Sequence, residues 1–323
     1  MPKLGDVHVN KPLTNISIAH LQAATEFAAA QVFPVVPVQK QSDRYFQYNK
    51  GDLLRTEAQI RAPATESAGV DYDIDNTPSY SCDKYALHMD VDEDLKANAD
   101  APLSPERDAA RILTQKLLIK RDLLFAESFF SDGVWDADWD GVAASPSTNE
   151  VLQWDADDSH PIQDIDNLRE AIAASCGRRP NVIVIGPAVF NVVKNHADIL
   201  DRIKHTSRDV VTLELLAMLF EVDRVLCPGA IYNSSVKGQT ASYGRIYGKD
   251  LLMCYKTSTP ALMEPTAGYI FSWAGLIGAG NEGLRSKRLE VPLKNAVRIE
   301  NEFAYDMKVV STDCGGFIKD VIG

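Results

Sequence analysis

Residues 104–130 read SPERDAARILTQKLLIKRDLLFAESFF, the longest stretch in which helix-start signals and apolar spacing agree. Ser104 can cap the first turn, Pro105 sits where its missing N–H costs nothing, and Glu106 and Asp108 meet the positive end of the helix dipole. Ala110, Leu113, Leu117 and Leu124 fall on one face; Ile112, Ile119, Leu123 and Phe130 fall on a second, well round the cylinder. At about 1.5 Å per residue the helix is roughly 40 Å long. A helix of that length, apolar on two sides, predicts a spine. Taken alone, it fits a long core helix of an α/β enzyme equally well.

The chain has 323 residues, 45% hydrophobic and 24% charged, enough for one large core or two modest ones. Its formal net charge of −12 argues against wrapping nucleic acid as a main task. Cys82, Cys176, Cys227, Cys254 and Cys314 are odd in number and widely spaced, so they read as reduced, mostly buried thiols. Met1 to Asn10 has no apolar run, so no secretory leader is expected, and no segment approaches the roughly 18 uninterrupted apolar residues of a membrane span.

Residues 1 to about 40 contain a helical candidate, Ile18 to Ala30, and then Phe33-Pro34-Val35-Val36-Pro37-Val38, whose prolines forbid a central strand. With little apolar matter of its own, this segment is expected to lie across something else, a neighbouring subunit included. From Asp43 to Tyr80, strand-like Arg44-Tyr45-Phe46-Gln47-Tyr48 and the turn residues Asn49-Lys50-Gly51-Asp52 open a long extended hairpin. Ala58 to Asp75 holds hardly any large apolar side chains, so the loop cannot make its own core and is expected to grip a partner.

From Pro161 the pattern becomes α/β. The stripe Ile162, Ile165, Leu168, Ile172 ends at Gly177, and Pro180 precedes the buried-strand run Val182 to Ile185. A second helix is expected from Gly186-Pro187 to about Lys204, and a third from Val210 to Glu221. Strands are expected at 224–226, 245–247, 251–256, 269–273, 285–292, 295–303 and 307–312.

Several motifs fail on context. Asp136, Asp138, Asp140 and Gly141 start like a calcium loop, but Ser147 stands where a bidentate Glu belongs, so an acidic surface loop is expected. Gly278 to Gly283 fits G-x-G-x-x-G, yet Leu284 to Pro292 after it is no helix. His196 lacks a paired ligand and reads as a packing histidine. Arg178-Arg179 and Arg285 to Arg288 read as solvated or interfacial faces. No acid/base pair, nucleophile elbow or phosphate loop is present, so no enzyme activity, catalytic residue, cofactor or metal is expected.

The order of arm, polar hairpin, spine helix, α/β lobe and returning strands resembles the major capsid protein of tailed bacteriophages, the α+β Hong Kong 97 fold. Arg178 to Pro187 looks like the strand-to-helix turn of its axial domain, and Ala296 to Glu300 through Asp306 to Val310 looks like its late peripheral strands. The resemblance implies an arm at 1–40, an E-loop at 41–82, a peripheral domain at 83–160 with the spine helix 104–130, an axial domain at 161–284, and returning peripheral strands at 285–323. It implies a structural virion protein that self-assembles into hexamers and pentamers of an icosahedral capsid around double-stranded DNA, without sequence specificity or membrane. Arg44, Tyr45, Tyr48, Arg55 and Arg61 would be E-loop contacts across a subunit boundary. A separate scaffolding protein, a portal and decoration proteins would be further partners, with synthesis in the bacterial host cytoplasm. Some members carry an asparagine near the position of Asp306 that cross-links to a loop lysine; with a carboxylate there, no isopeptide bond from Lys50 is expected. Alternatives are an encapsulin-like compartment or, from another class, a soluble α/β nucleotide-binding enzyme.

Overall fold

The computed structural model describes residues 21–99, 103–204, 210–261, 263–277 and 283–323. The spine helix runs Pro105–Phe129 with Pro105 at its first position and Glu106 and Asp108 in the first turn. Ser104 flanks it but makes no side-chain cap, contrary to expectation. An i, i+4 row of Ala109, Leu113, Leu117, Arg121 and Phe125 is buried. The second face is covered only in its later half, where Ile119 and Leu123 pack against the core; Ile112 is 37% exposed.

The row packs on a five-stranded sheet whose centre is Ala296–Val309. This is one 14-residue strand where two were expected. Asp83–Asp92 lines one edge, Leu284–Val291 and Gly268–Trp273 share the other, and Val35–Val38 pairs in parallel outside Gly268–Trp273. Alternation turns Val297, Ile299, Asn301, Phe303 and Tyr305 inward. Asn301, fully buried, donates its side-chain amide to the Ala110 carbonyl and Thr114 Oγ1, both at 2.9 Å, which fixes helix on sheet.

The second sheet has six strands in the order Arg224–Leu226, Val182–Ile185, Leu251–Cys254, Gly315–Lys319, Ala137–Val142, Glu150–Leu152. It is buried on both faces. Ile183, Ile185, Leu251 and Met253 face the helix Pro161–Cys176, while Val182, Val184, Leu252 and Cys254 face Phe130, Trp135 and the end of the spine. That helix ends as expected, on Gly177 at φ 73°.

Sheet membership cuts across the expected ranges 83–160, 161–284 and 285–323: residues 137–142, 150–152 and 315–319 share the six-stranded sheet with 182–185, and 268–273 lie in the five-stranded one. Asp136 to Gly141, expected as a surface loop, is mostly strand, paired in parallel with Gly316 to Lys319. These pairings join residues far apart in sequence, which local patterns do not encode.

The opening segment differs too. Of the expected helix Ile18 to Ala30, residues 18–20 lie outside the described residues, and the rest forms two short turns, Ala24–Glu26 and Ala29–Val32. Phe27, Ala28, Ala29, Val32 and Phe33 are buried in this chain's own core, with Phe33 edge-on to Phe125 at 5.1 Å, rather than on a neighbour. Asp122 of the spine holds them, accepting from Ala28 N at 2.7 Å and Tyr247 Oη at 2.8 Å. The helix expected from Pro187 to Lys204 breaks into Pro187–Val193 and Ala197–Ile203, because His196 caps the second piece. Cys176 and Cys314 form a disulfide where free thiols were expected, since the end of one helix meets a turn 138 residues later. Cys82, Cys227 and Cys254 are free.

Candidate assembly interface

The stretch from Ser42 to Ser81 is a hairpin, with Ser42–Arg44 antiparallel to Ser79–Ser81 and Gln47–Tyr48 antiparallel to Ile74–Asp75. Its base is fastened to the body. Tyr80 stacks on Phe271 at 4.7 Å and Tyr45 lies against the same ring at 5.5 Å. Ser81 N donates to Asp306 Oδ2 at 2.9 Å, Gln47 Nε2 to the Val310 carbonyl at 3.2 Å, and Lys50 Nζ meets Asp313 Oδ2 at 2.5 Å. A short turn of helix, Lys50–Leu53, is capped by Asn49, which accepts from Gly51 N at 2.9 Å. Beyond it, the hydrogen bonds of residues 55–73, among the described residues, stay inside the loop.

Of the five residues expected to reach a neighbour, Arg44 and Arg61 are exposed, the latter donating Nε to the Thr65 carbonyl. Arg55 is exposed but ion-paired to Asp52 at 3.1 Å and Glu57 at 3.4 Å within the loop. Tyr45 is spent on the chain's own Phe271, and burial raises its phenol pKa. Tyr48 is half-buried beside Tyr72, ring centres 5.9 Å apart. The same loop also holds apolar residues that the sequence reading does not single out: Phe46, Leu53, Leu54, Ile60 and Val70 stand in water, Ile60 completely. All five lie on the one stretch between Ser42 and Ser81. In the sequence they carried no separate signal, because an apolar residue awaiting a partner is written like one in a core.

Ser159 and His196 are both buried, with Ser159 Oγ 3.0 Å from His196 Nε2. His196 Nδ1 accepts from Asp198 N, so the proton must sit on Nε2 and point at the serine, whose own proton goes to the Ala156 carbonyl at 2.6 Å. Burial also lowers the pKa of this imidazole. In this arrangement the ring donates to the hydroxyl and is not set to take its proton, which fits a packing role. After Gly283 comes a strand, Leu284–Val291, and no helix end faces a pyrophosphate; Gly278 to Glu282 lie outside the described residues. Among the described residues, no cluster of His, Cys, Asp or Glu is placed to hold a metal, and no helix is long and apolar enough to cross a membrane.

The five-stranded sheet carries a lattice of ion pairs. Glu302 is fully buried beneath Lys84, Lys287 and Arg285, with Lys84 at 2.5 Å and Lys287 at 2.8 Å. Burial alone would raise its pKa, but the three cations overcome that and hold it at about 2. Asp90 is held below the carboxylate range by Arg298, at 2.6 Å, and Lys294, at 2.8 Å.

No family model matches the chain. It is 26% identical over 279 residues to the major capsid protein of Burkholderia phage BcepMu, covering 83% of this chain and 85% of that one. It is 23% identical over 284 residues to the major capsid protein of Pseudomonas phage JBD67, covering 86% and 88%. Among solved structures it superposes on a phage-related protein of Bordetella bronchiseptica with TM-score 0.69, 21% identity and 93% of each chain covered. The capsid of cyanophage P-SCSP1u follows at TM-score 0.57, 10% identity, covering 94% and 89%. The SrpI encapsulin of Synechococcus elongatus gives 0.55, 12% identity, covering 97% and 94%. At these identities the structural likeness establishes the fold, which is that of the Hong Kong 97-type capsids.

Proposed function

We infer that this chain is the major capsid protein of a tailed phage, a structural subunit. What carries the reading is likeness to two major capsid proteins over more than four-fifths of both partners, on the matching fold. In the assembly we propose, copies gather into hexamers and pentamers through their axial lobes. Each E-loop lies on a sister molecule, burying Phe46, Leu53, Leu54, Ile60 and Val70 there, with Arg44 and Arg61 at the polar rim. The closed shell surrounds double-stranded DNA inside the virion. A separate scaffolding protein, a portal and decoration proteins complete the partner set, and the subunit is made in the host cytoplasm. The experiment is electron microscopy of the purified protein: closed icosahedral shells are expected, and a small oligomer that binds nucleotide would overturn the reading. The encapsulin likeness supports a second reading, protein cargo in place of DNA, which the contents of native particles decide.

The subunits should not be covalently joined. Lys50 is engaged by Asp313, and Asp306, a carboxylate that accepts from Ser81 N, is no acylating partner for an amine at neutral pH. Mature particles boiled in denaturant should therefore run as a single band at the 35.5 kDa monomer mass, with no ladder.

A further inference from the structure

The turn Thr312–Cys314 joins the strand Ala296–Val309 of one sheet to Gly315–Lys319 of the other. Distant parts of the chain converge on it. Asp136 N donates to the Thr312 carbonyl at 3.3 Å, and Ser175 Oγ donates to the Asp313 carbonyl at 3.0 Å. The E-loop is fastened here as well. Gln47 Nε2 donates to the Val310 carbonyl, and Lys50 Nζ meets Asp313 Oδ2, the other oxygen of that carboxylate accepting from Ser311 Oγ. The next residue, Cys314, is bonded to Cys176 at the end of the helix Pro161–Cys176. The foot of the projecting loop and the sulfur bridge thus hold adjacent residues.

The two sulfurs differ in access. Cys314 is fully buried, whereas Cys176 is partly exposed beside Gly177 at the helix end. A small disulfide from solution can therefore reach Cys176, and the internal thiol is placed to resolve what forms there. The Cα atoms are 5.2 Å apart, inside the range a disulfide spans without moving backbone. Such pairs persist as bridges in oxidising surroundings and as thiols in a reducing cytoplasm. Closing this one ties the helix end to the turn across 138 residues of chain and removes freedom from the turn that carries the loop.

We propose that Cys176 and Cys314 form a redox-operated catch beneath the E-loop, open as two thiols while the subunit is made and closed once particles reach oxidising surroundings. When closed, it stiffens the turn to which Lys50 anchors the loop. The chemistry is thiol–disulfide exchange with a small disulfide such as oxidised glutathione. The Cys176 thiolate attacks it, forming a mixed disulfide and releasing one glutathione thiolate; the Cys314 thiolate then attacks the Cys176 sulfur and expels the second. Two protein thiols are oxidised, one disulfide in solution is reduced, and the two protons pass to the departing thiolates. The timing rests on the reading of the chain as a capsid subunit, while the catch itself is a property of the single chain.

The test compares full-length protein purified in dithiothreitol before and after treatment with oxidised glutathione. Oxidation should join the peptides holding Cys176 and Cys314 and raise the melting temperature by roughly 5–10 °C. Hydrogen exchange at residues 47–54 should slow at the same time. Lys50→Met should keep the bond and the melting shift but lose that slowing, which a bridge acting only on stability would not do. The double variant Cys176→Ser, Cys314→Ser should match reduced wild type under both conditions, and the wild-type comparison stands without it should it fail to fold. The inference is overturned if Cys176 stays free or keeps a glutathione, if the bond forms and exchange at 47–54 is unchanged, or if Lys50→Met responds like wild type. Electron microscopy of the same preparations separates the two readings. Shells from protein that shows none of these responses sink this inference alone, whereas absence of shells sinks the capsid reading and the timing with it.

Discussion

Replacing Leu53, Leu54 and Ile60 together by serine is expected to abolish shell formation and leave the isolated subunit intact. All three are more than half exposed, so their loss removes nothing from the core. On a neighbour, each would contribute about 1.5–3 kcal/mol by leaving water, or very roughly 5–8 kcal/mol per loop before the cost of ordering it. In the proposed assembly each subunit would both lend a loop and receive one, so the deficit would recur around the whole shell. Gel filtration should show capsomers or single chains at concentrations where wild type gives particles, with unchanged circular dichroism and melting temperature. Shells of normal size from the triple variant would remove the E-loop from the assembly mechanism.

The second large effect is on the fold itself. Glu302→Ala should destabilise the subunit by about 3–5 kcal/mol, because Lys84, Arg285 and Lys287 lose the anion they converge on and remain crowded together. That corresponds to a fall in melting temperature on the order of 10 °C. Glu302→Gln, which keeps the shape, should destabilise nearly as much if the cause is charge and far less if it is packing. The same site sets an acid limit. Its folded-state pKa of about 2 lies below the ordinary 4.5, so its stabilisation is fully present above pH 4.5 and is lost as pH falls toward 2. Asp90, depressed by Arg298 and Lys294, acts in the same direction. Wild type should therefore lose stability steeply below pH 4.5, and Glu302→Gln should show a flatter profile there. Equal slopes would assign acid sensitivity elsewhere.

What the sequence made legible was local. Pro105 with its acidic first turn, Pro161 with Gly177, and the unbroken Val182 to Ile185 run each carry start, stop and burial within a few residues, and each lies where expected. What it hid was distant. Nothing near Asp138 says that it will pair with Phe317, nothing near Cys176 points to Cys314, and His196 looked like part of a helix stripe until its capping bond broke the helix. The loop was half legible. Its length and polarity announce a projection, but of the Arg and Tyr residues that stand out in it Tyr45 and Tyr48 lie against the chain's own rings and Arg55 and Arg61 bond within the loop, while the apolar residues left in water are unremarkable as letters.

The strand Gly315–Lys319 lies in the middle of the six-stranded sheet, between Leu251–Cys254 and Ala137–Val142, and Val321 and Ile322 after it are buried. The sheet cannot close without that strand: its neighbours would face a gap one strand wide, and the pocket that Val321 and Ile322 fill would stand open to water.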